Sequence, residues 1–499
     1  MTHKILAPEF FQMHIGGQWV DAESNETFDS INPYTNAPWA SVPEATSTDV
    51  DKAVQSARKA FESGPWASFS PAGRAALLRK FGDLILENVD ELARVQVMEN
   101  GKLIREVHGQ TRALANHCYF FAGAAENLTG QTLASSVPNF QVYTVREPIG
   151  VIAAITPWNS PLALLLWKLC PALAAGNTVV IKPSEVTPVS TLVLMRLLQE
   201  AGLPAGVVSV VTGHGTVGAA LAQHPQVDKI AFTGSTQVGR HIAETAGRQL
   251  KRVSLELGGK SPNILFADAD IDNAINGVVA GIFAASGQTC MAGSRVLVQD
   301  SIYDEVIQKL AEKANRVRLG DPLDQQTEMG TVACKAQFDK VLAYVDIAKG
   351  EGARLVAGGF HPTDPGLNQG LFVRPTVFAD VHNDMRIARE EVFGPVAAVI
   401  RFKDEKDAVR IANDTNFGLA AGVWTTDLAR GIRMTRTLRA GTVWINNYRK
   451  TNYIAPFGGF GDSGLGRENG PEAIYEYTET KTVWIDLGNK ITDPFNPRA

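Results

Sequence analysis

The sequence predicts an α/β chain with a doubly wound parallel sheet, a second α/β unit and a small β element. Three observations lead there. Between Gly150 and Phe232 lie four short, nearly all-apolar runs, GVIAAI, NTVVI, GVVSVV and KIAF, which read as strands buried on both faces of a parallel sheet. Segments of crossover length with helical periodicity separate them, and repeated strand–helix–strand units imply right-handed crossovers. A further α/β series follows Gly259.

Taken in order, the chain opens on a hairpin-like HIGGQWVDAES, where Gly16 and Gly17 supply the positive φ of a tight turn. A helix is predicted from about Asp49 with Thr48 as its N-cap, and helical patterns cover residues 72–110. Residues 129–148 read as extended around FQVYTV. Within the sheet region the clearest helix has Thr187 as N-cap, Pro188 at its first position, Gly202 past its end and Pro204 beyond. After Gly259, strands are predicted near 294–298, 395–402, 418–425 and 441–446, and helices at 272–285, 302–317 and 403–413. The final thirty residues return to an extended KTVWIDL. Paired with FQVYTV, it makes sheet material outside both units and an edge for oligomerisation.

Composition bounds the function. The 499 residues are 45% hydrophobic and 20% charged, ordinary globular usage with two or three folding units. Lys plus Arg number 47 against 52 for Asp plus Glu, which argues against nucleic acid or an anionic membrane as partner. Four cysteines exclude a disulfide scaffold, and with no C-x-x-C or H-E-x-x-H no metal site is expected. The N-terminus lacks a basic region followed by an apolar run, so no secretory signal is expected. The most apolar stretch, 161–176, is interrupted by Lys168 and Pro171 and is too short to span a bilayer. These features predict a soluble protein of a reducing compartment, the cytoplasm.

In open α/β sheets ligands bind beyond the carboxyl ends of strands. The four runs end in TPWN (156–159), KPSE (182–185), TGHG (212–215) and TGST (233–236), a polar, Gly-rich rim. Two turns compete for a phosphate. The stretch from Gly213 to Gly218 fits G-x-G-x-x-G, yet no acid stands about twenty positions on, Asp228 being nearest, and a plain structural turn is its equal alternative. The stretch from Gly234 to Gly239 carries Ser235 and Thr236, whose hydroxyls can cap a helix and meet a phosphate together. Lys182 and Glu185 are either a solvated salt pair or a clamp on ribose hydroxyls, where the carboxylate repels a 2′-phosphate and favours NAD over NADP.

Cys118 beside YFF, Cys170 in an apolar helix and Cys334 in an amphipathic stretch read as packing. Cys290, in GQTCMAG, differs, because Gly287 and Gly293 let the backbone approach a ligand; it is either a nucleophile or another packing thiol. Glu256, in SLELGGK, is either desolvated and suited to general-base work or paired with Lys260. Asn159 is either a donor to a developing oxyanion or a simple turn residue.

Together these residues resemble the aldehyde dehydrogenase superfamily over essentially the whole chain. The order PWN, KPSE, GST, ELGGK, GQTC, EEVFGPV (390–396) and PFGG (456–459) carries the resemblance: each piece is weak alone, and seven in the family's order are specific. The 34 positions from Glu256 to Cys290 also suit the family. The resemblance implies that Cys290 attacks an aldehyde carbonyl and that the Asn159 amide and Cys290 backbone N–H hold the oxyanion. Hydride then passes to the nicotinamide, and Glu256 activates the water that releases a carboxylic acid from the Cys290 thioester. Lys182, counted with the catalytic set, joins Glu185 and Glu391 on ribose hydroxyls, Phe393 packs near the nicotinamide, and Gly234 with Ser235 meets the pyrophosphate, the Gly213 turn lying nearer the adenosine. Thr156, Trp158, Ser184, Gly215, Phe232, Val238 and Leu257 complete the implied cofactor contacts.

The implied substrate tunnel is lined near Trp158, Trp167, Thr289, Met291, Thr451 and Phe457. Thr451 replaces an aromatic ring of several family members and suggests a roomier mouth. Arg449 and Lys450 nearby either attract a carboxylate-bearing aldehyde or form a solvated loop, and Trp484 is placed to reach a neighbouring subunit's tunnel. The family's architecture implies a Rossmann-like NAD-binding domain (1–128 and 149–258), a catalytic domain (259–470) and an oligomerisation element (129–148 and 471–499). A homo-oligomer follows, a dimer or a homotetramer. Two alternatives stay open, a CoA-acylating relative and a non-catalytic binding or structural member of the family.

Overall fold

The computed structural model describes residues 9–488, 491 and 493–496; residues 1–8 of the expected first domain and 489–490, 492 and 497–499 of the expected oligomerisation element lie outside the described residues. The four apolar runs form strands Val151–Ile155, Thr178–Lys182, Val208–Val210 and Lys229–Thr233, buried at every position. Arg252–Glu256 joins them in a parallel set. Across the sheet the order is Arg252–Glu256, Lys229–Thr233, Val151–Ile155, Thr178–Lys182, Val208–Val210. The chain therefore starts in the middle, winds outward one way and returns to wind the other. The reversal lies between Val151–Ile155 and Lys229–Thr233, where loops diverge and leave a crevice at the strands' carboxyl ends.

Both edges of this sheet are extended by distant chain. The hairpin of Met13–Ile15 and Gln18–Val20 turns, as expected, on Gly16 (φ 63°) and Gly17 (φ 91°). At the other edge Gly464–Leu465 pairs antiparallel with Arg252–Glu256, setting Gly464 opposite Glu256. The second sheet has seven strands, in the order Arg354–Ala357, Thr376–Ala379, Val396–Phe402, Arg295–Gln299, Pro262–Leu265, Ala420–Trp424 and Thr442–Ile445. The expected strands are present, and the three not expected are Pro262–Leu265, Thr376–Ala379 and Arg354–Ala357. The last segment, Thr478–Asp486, pairs antiparallel with Phe140–Pro148 over its whole length and forms the edge of a separate three-stranded sheet.

The helix starts differ from expectation for physical reasons. Helix Ser47–Ser63 is capped by Thr46, not Thr48. Both threonines have an aspartate three residues on, but Asp49 is buried and also accepts the Glu23 N–H at 3.2 Å. Its carboxylate then takes the Thr46 N–H at 2.8 Å, closing a capping box. Residues 72–110 divide into helices Pro71–Glu87, Val89–Asn100 and Ile104–Glu126, with Gly101 in the left-handed region (φ 70°) between the last two. Helix Val189–Glu200 is not capped by Thr187. Its first amides, those of Val189 and Ser190, donate instead to the buried Glu99 carboxylate, the second at 3.1 Å. Among the described residues no helix is long and apolar enough to cross a membrane.

Candidate active site

Two adjoining clefts open at the strand reversal. The larger, of about 460 Å³, is lined by Thr156, Trp158, Lys182, Ser184, Glu185, Gly215, Phe232, Gly234, Ser235 and Val238. The smaller, of about 140 Å³, shares Trp158, Gly234 and Ser235 and reaches Asn159, Leu257, Cys290, Glu391 and Phe393. Every residue expected from sequence at the cofactor thus borders one continuous, elongated hollow.

Its details suit a dinucleotide. The Thr156 hydroxyl is buried with no hydrogen-bond partner. A side chain at Gly215 would meet nothing within 4 Å, and one at Gly218 only the Lys182 stem at 3.9 Å, so the space over this helix start is free. Ser235 caps helix Thr236–Arg248, its hydroxyl accepting the Val238 N–H at 3.3 Å, while the Phe232 ring lies against Gly234 where a Cβ would collide. That helix begins inside the hollow and presents the positive end of its dipole to an anion. Lys182 and Glu185 form an ion pair at 3.3 Å. Burial raises the Glu185 carboxyl, yet the Lys182 ammonium and hydrogen bonds outweigh it and leave the net shift downward. Glu391 accepts the Gly259 N–H at 2.9 Å, and Trp158 meets Phe393 edge-on at 5.2 Å.

Cys290 ends a strained approach. Ala285 (φ 53°), Ser286 (φ 54°) and Gly287 (φ 72°) are consecutively left-handed, at roughly 1–2 kcal/mol for each non-glycine residue. Gly287 is required because a Cβ there would strike the backbone of Gly394 and Pro395. The backbone N–H groups of Met291 and Cys290 pull the thiol's pKa down. Burial, followed by the charges of Glu256 and Glu391, nevertheless pushes the thiol up to about 12. Asn159 donates one amide hydrogen to the Gln288 carbonyl at 2.9 Å, which orients the amide and leaves its second hydrogen uncommitted.

Glu256 resolves in favour of desolvation. Burial and the neighbouring Glu468 raise its pKa well above the ordinary value, against the smaller pull of Lys168 and Arg467. Its Oε2 has no hydrogen-bond partner. Lys260 is not its counter-ion: that ammonium is buried near Arg295 and Glu391, and burial with Arg295 pushes it down to about 7. Gly458, of the PFGG segment, leaves room for the carboxylate, since a Cβ there would lie 2.7 Å from Oε1.

Beside the thiol, Leu164, Trp167, Leu419 and Phe457 form an apolar cluster against which Cys290 and Met291 pack. The Trp167 and Phe457 rings meet at 5.2 Å, and Thr289 is buried with an unpartnered hydroxyl. Thr451 and Lys450 are exposed. Sequence reasoning passed over several residues that the structure gathers here. Lys168 pairs with Glu468 and donates to the Thr233 hydroxyl at 2.6 Å, wholly buried beside Glu256. A lone lysine in an apolar helix was its signal. Gln288, Gln337 and Lys340 left none.

Relatives align with nearly the whole chain. The aldehyde dehydrogenase family profile matches residues 19–483. An aldehyde dehydrogenase of Emericella nidulans is 47% identical over 481 residues, covering 96% of each chain. The NAD+ complex of an aldehyde dehydrogenase from Bacillus cereus aligns at TM-score 0.94 and 45% identity, over 96% of this chain and 97% of that one. Betaine aldehyde dehydrogenase of Staphylococcus aureus, in complex with NAD+, aligns at TM-score 0.95 and 39% identity, over 96% and 95%. With a matching profile, near-complete alignment and a thiol that lines the cleft adjoining the cofactor hollow, the chain belongs to the aldehyde dehydrogenase family and is an NAD-dependent aldehyde dehydrogenase.

Proposed function

We propose that Cys290 is the nucleophile and Glu256 the general base of a hydrolytic, non-acylating oxidation of an aldehyde to its carboxylic acid. One observation carries this reading: the smaller cleft brings together the Cys290 thiol and the Asn159 amide, and Glu256, whose Oε2 has no hydrogen-bond partner, acts electrostatically on that thiol. Sγ bonds to the carbonyl carbon as the thiol proton leaves to a base. The Asn159 N–H and the Cys290 backbone N–H hold the resulting alkoxide. Bound NAD+ supplies the acceptor for the hydride that converts this thiohemiacetal to a thioester. Glu256 then takes a proton from water, the hydroxyl adds to the acyl carbon, and the carbon–sulfur bond breaks to release the acid and the thiolate.

Lys182, Glu185 and Glu391 serve as ribose partners, Gly234 and Ser235 as pyrophosphate partners and Phe393 as a nicotinamide neighbour. Glu185 favours NAD over NADP by repelling a 2′-phosphate. The cofactor domain comprises 1–128 and 149–258 and the catalytic domain 259–470, while 129–148 and 471–499 make a cytoplasmic homo-oligomer through their shared sheet. The exposed rings of that sheet support this, Trp484 being 56% exposed.

The test is NADH formation by purified protein with NAD or NADP and aliphatic, aryl and carboxylated aldehydes, with free acid assayed. Turnover with NAD and without CoA is expected. Turnover appearing only on adding CoA would move the assignment to the acylating branch.

A further inference from the structure

Beside the thiol stands charge that neither the cofactor hollow nor the thiol chemistry uses. Tyr448 is wedged among three glycines: a Cβ at Gly293 would lie 2.9 Å from its ring, one at Gly281 3.0 Å, and one at Gly422 would collide outright. Its hydroxyl donates to the Met291 carbonyl at 3.0 Å. Arg449, the next residue, is thereby pinned beside the cysteine loop, with its backbone held in the left-handed region (φ 67°) that a bulky side chain seldom adopts. It lies near enough to Cys290 and Glu106 for both to act on it electrostatically.

The guanidinium is under-used. Nη1 donates to the Ala280 carbonyl at 3.1 Å, and among the described residues it has no other hydrogen bond and no ion pair. Arg295, which is structural, is different: its guanidinium is spent on the carbonyls of Lys260, Ile411 and Ala412 and on Asn383. A second cation, Lys102, is buried and donates only to neutral partners, the Ser160 hydroxyl at 3.1 Å and Gln110 at 3.0 Å. Ser160 directly follows Asn159. Glu106 is the carboxylate felt by both cations, and its Oε2 is buried without a partner. Two cations against one carboxylate leave this neighbour of the thiol with unbalanced positive charge in a poorly solvated place, where it acts strongly on a bound anion. A substrate carboxylate would balance it, and the free fork of Arg449 matches carboxylate geometry.

We propose that Arg449 and Lys102 form an anion-recognising subsite, so that the preferred aldehydes carry a carboxylate a few bonds from the carbonyl. This rests on Cys290 being the nucleophile. The other arrangement of the same groups, a cationic aldehyde held by Glu106, is disfavoured by the two positive charges beside it.

The test compares kcat/KM for ω-carboxy aldehydes with alkanals of equal length, and with a trimethylammonium aldehyde, in the wild type and in Arg449→Gln, Arg449→Lys and Glu106→Gln. Wild-type enzyme should prefer the carboxylates by about 10- to 100-fold, mostly in KM, the range of a hydrogen-bonded charge contact. Arg449→Gln should bring that ratio near 1, Arg449→Lys should restore part of it, and Glu106→Gln should raise it. Alkanal turnover with no carboxylate preference, a ratio indifferent to Arg449→Gln, or a preference for the cationic aldehyde would each overturn the subsite and leave Cys290 standing. Silence with every aldehyde would overturn both.

Discussion

A thiol pushed up to about 12 and a carboxyl raised well above its ordinary value both hold their protons to higher pH than usual, so burial and the neighbouring charges around Cys290 and Glu256 set when the chemistry can run. A group whose pKa is raised keeps its proton as pH climbs past the ordinary value. Glu256 is a base only once that proton is gone. The rate of acid release should therefore rise with pH through the raised Glu256 pKa instead of levelling off near the ordinary 4.5, and a plateau already reached at pH about 5.5 would contradict this. Much of this was legible in the sequence. Two leucines beside Glu256 announced desolvation, and two glycines around Cys290 announced an irregular, close approach. Lys168 and Glu468 were not legible as a pair, because they stand 300 residues apart and only the strand Gly464–Leu465, folded back beside Glu256, brings them together.

At the scale of elements, apolar runs fixed the parallel strands well, since burial on both faces leaves a pattern in the chain itself. Helix starts were read less well. The start of Val189–Glu200 depends on Glu99, some ninety residues earlier, which no local pattern reveals. Burial pushes the Glu99 carboxyl from 4.5 to about 8, against the hydrogen bonds from Ser190 and Val189. The folded chain then holds this proton more tightly than the unfolded chain. Its contribution to stability is full below 4.5 and is lost as pH rises towards 8. Glu99→Gln removes that component. The variant's thermal midpoint relative to wild type should increase between about pH 5 and about pH 8, and a difference independent of pH would contradict the account.

For the whole molecule, two large sheets with parallel centres hold the cofactor strands and the strands that follow the thiol, and a separate three-stranded sheet carries Thr478–Asp486 exposed along its edge. Trp484 and Ile485 are apolar residues that a solitary chain would leave in water. Sedimentation velocity should show a dimer or tetramer for the wild type and a shift towards monomer for the double variant Trp484→Asp, Ile485→Asp. A wild-type monomer would remove the proposed role of this sheet. The pairing of KTVWIDL with FQVYTV was visible in the sequence because both are rich in the β-branched and aromatic residues that favour strands. The strands Thr376–Ala379 and Arg354–Ala357 were not, since each is four residues long.

The central claim is that an acyl group rests on Cys290 until Glu256 admits water. Glu256→Gln enzyme, mixed rapidly with NAD+ and an aldehyde that the wild type oxidises, tests it most directly by NADH absorbance and peptide mass. The account predicts a burst near one NADH per active site, slow turnover afterwards by about 10²- to 10⁴-fold, and the acyl mass on the peptide containing Cys290. Acid released at the wild-type rate, with no acyl mass on Cys290, would contradict it.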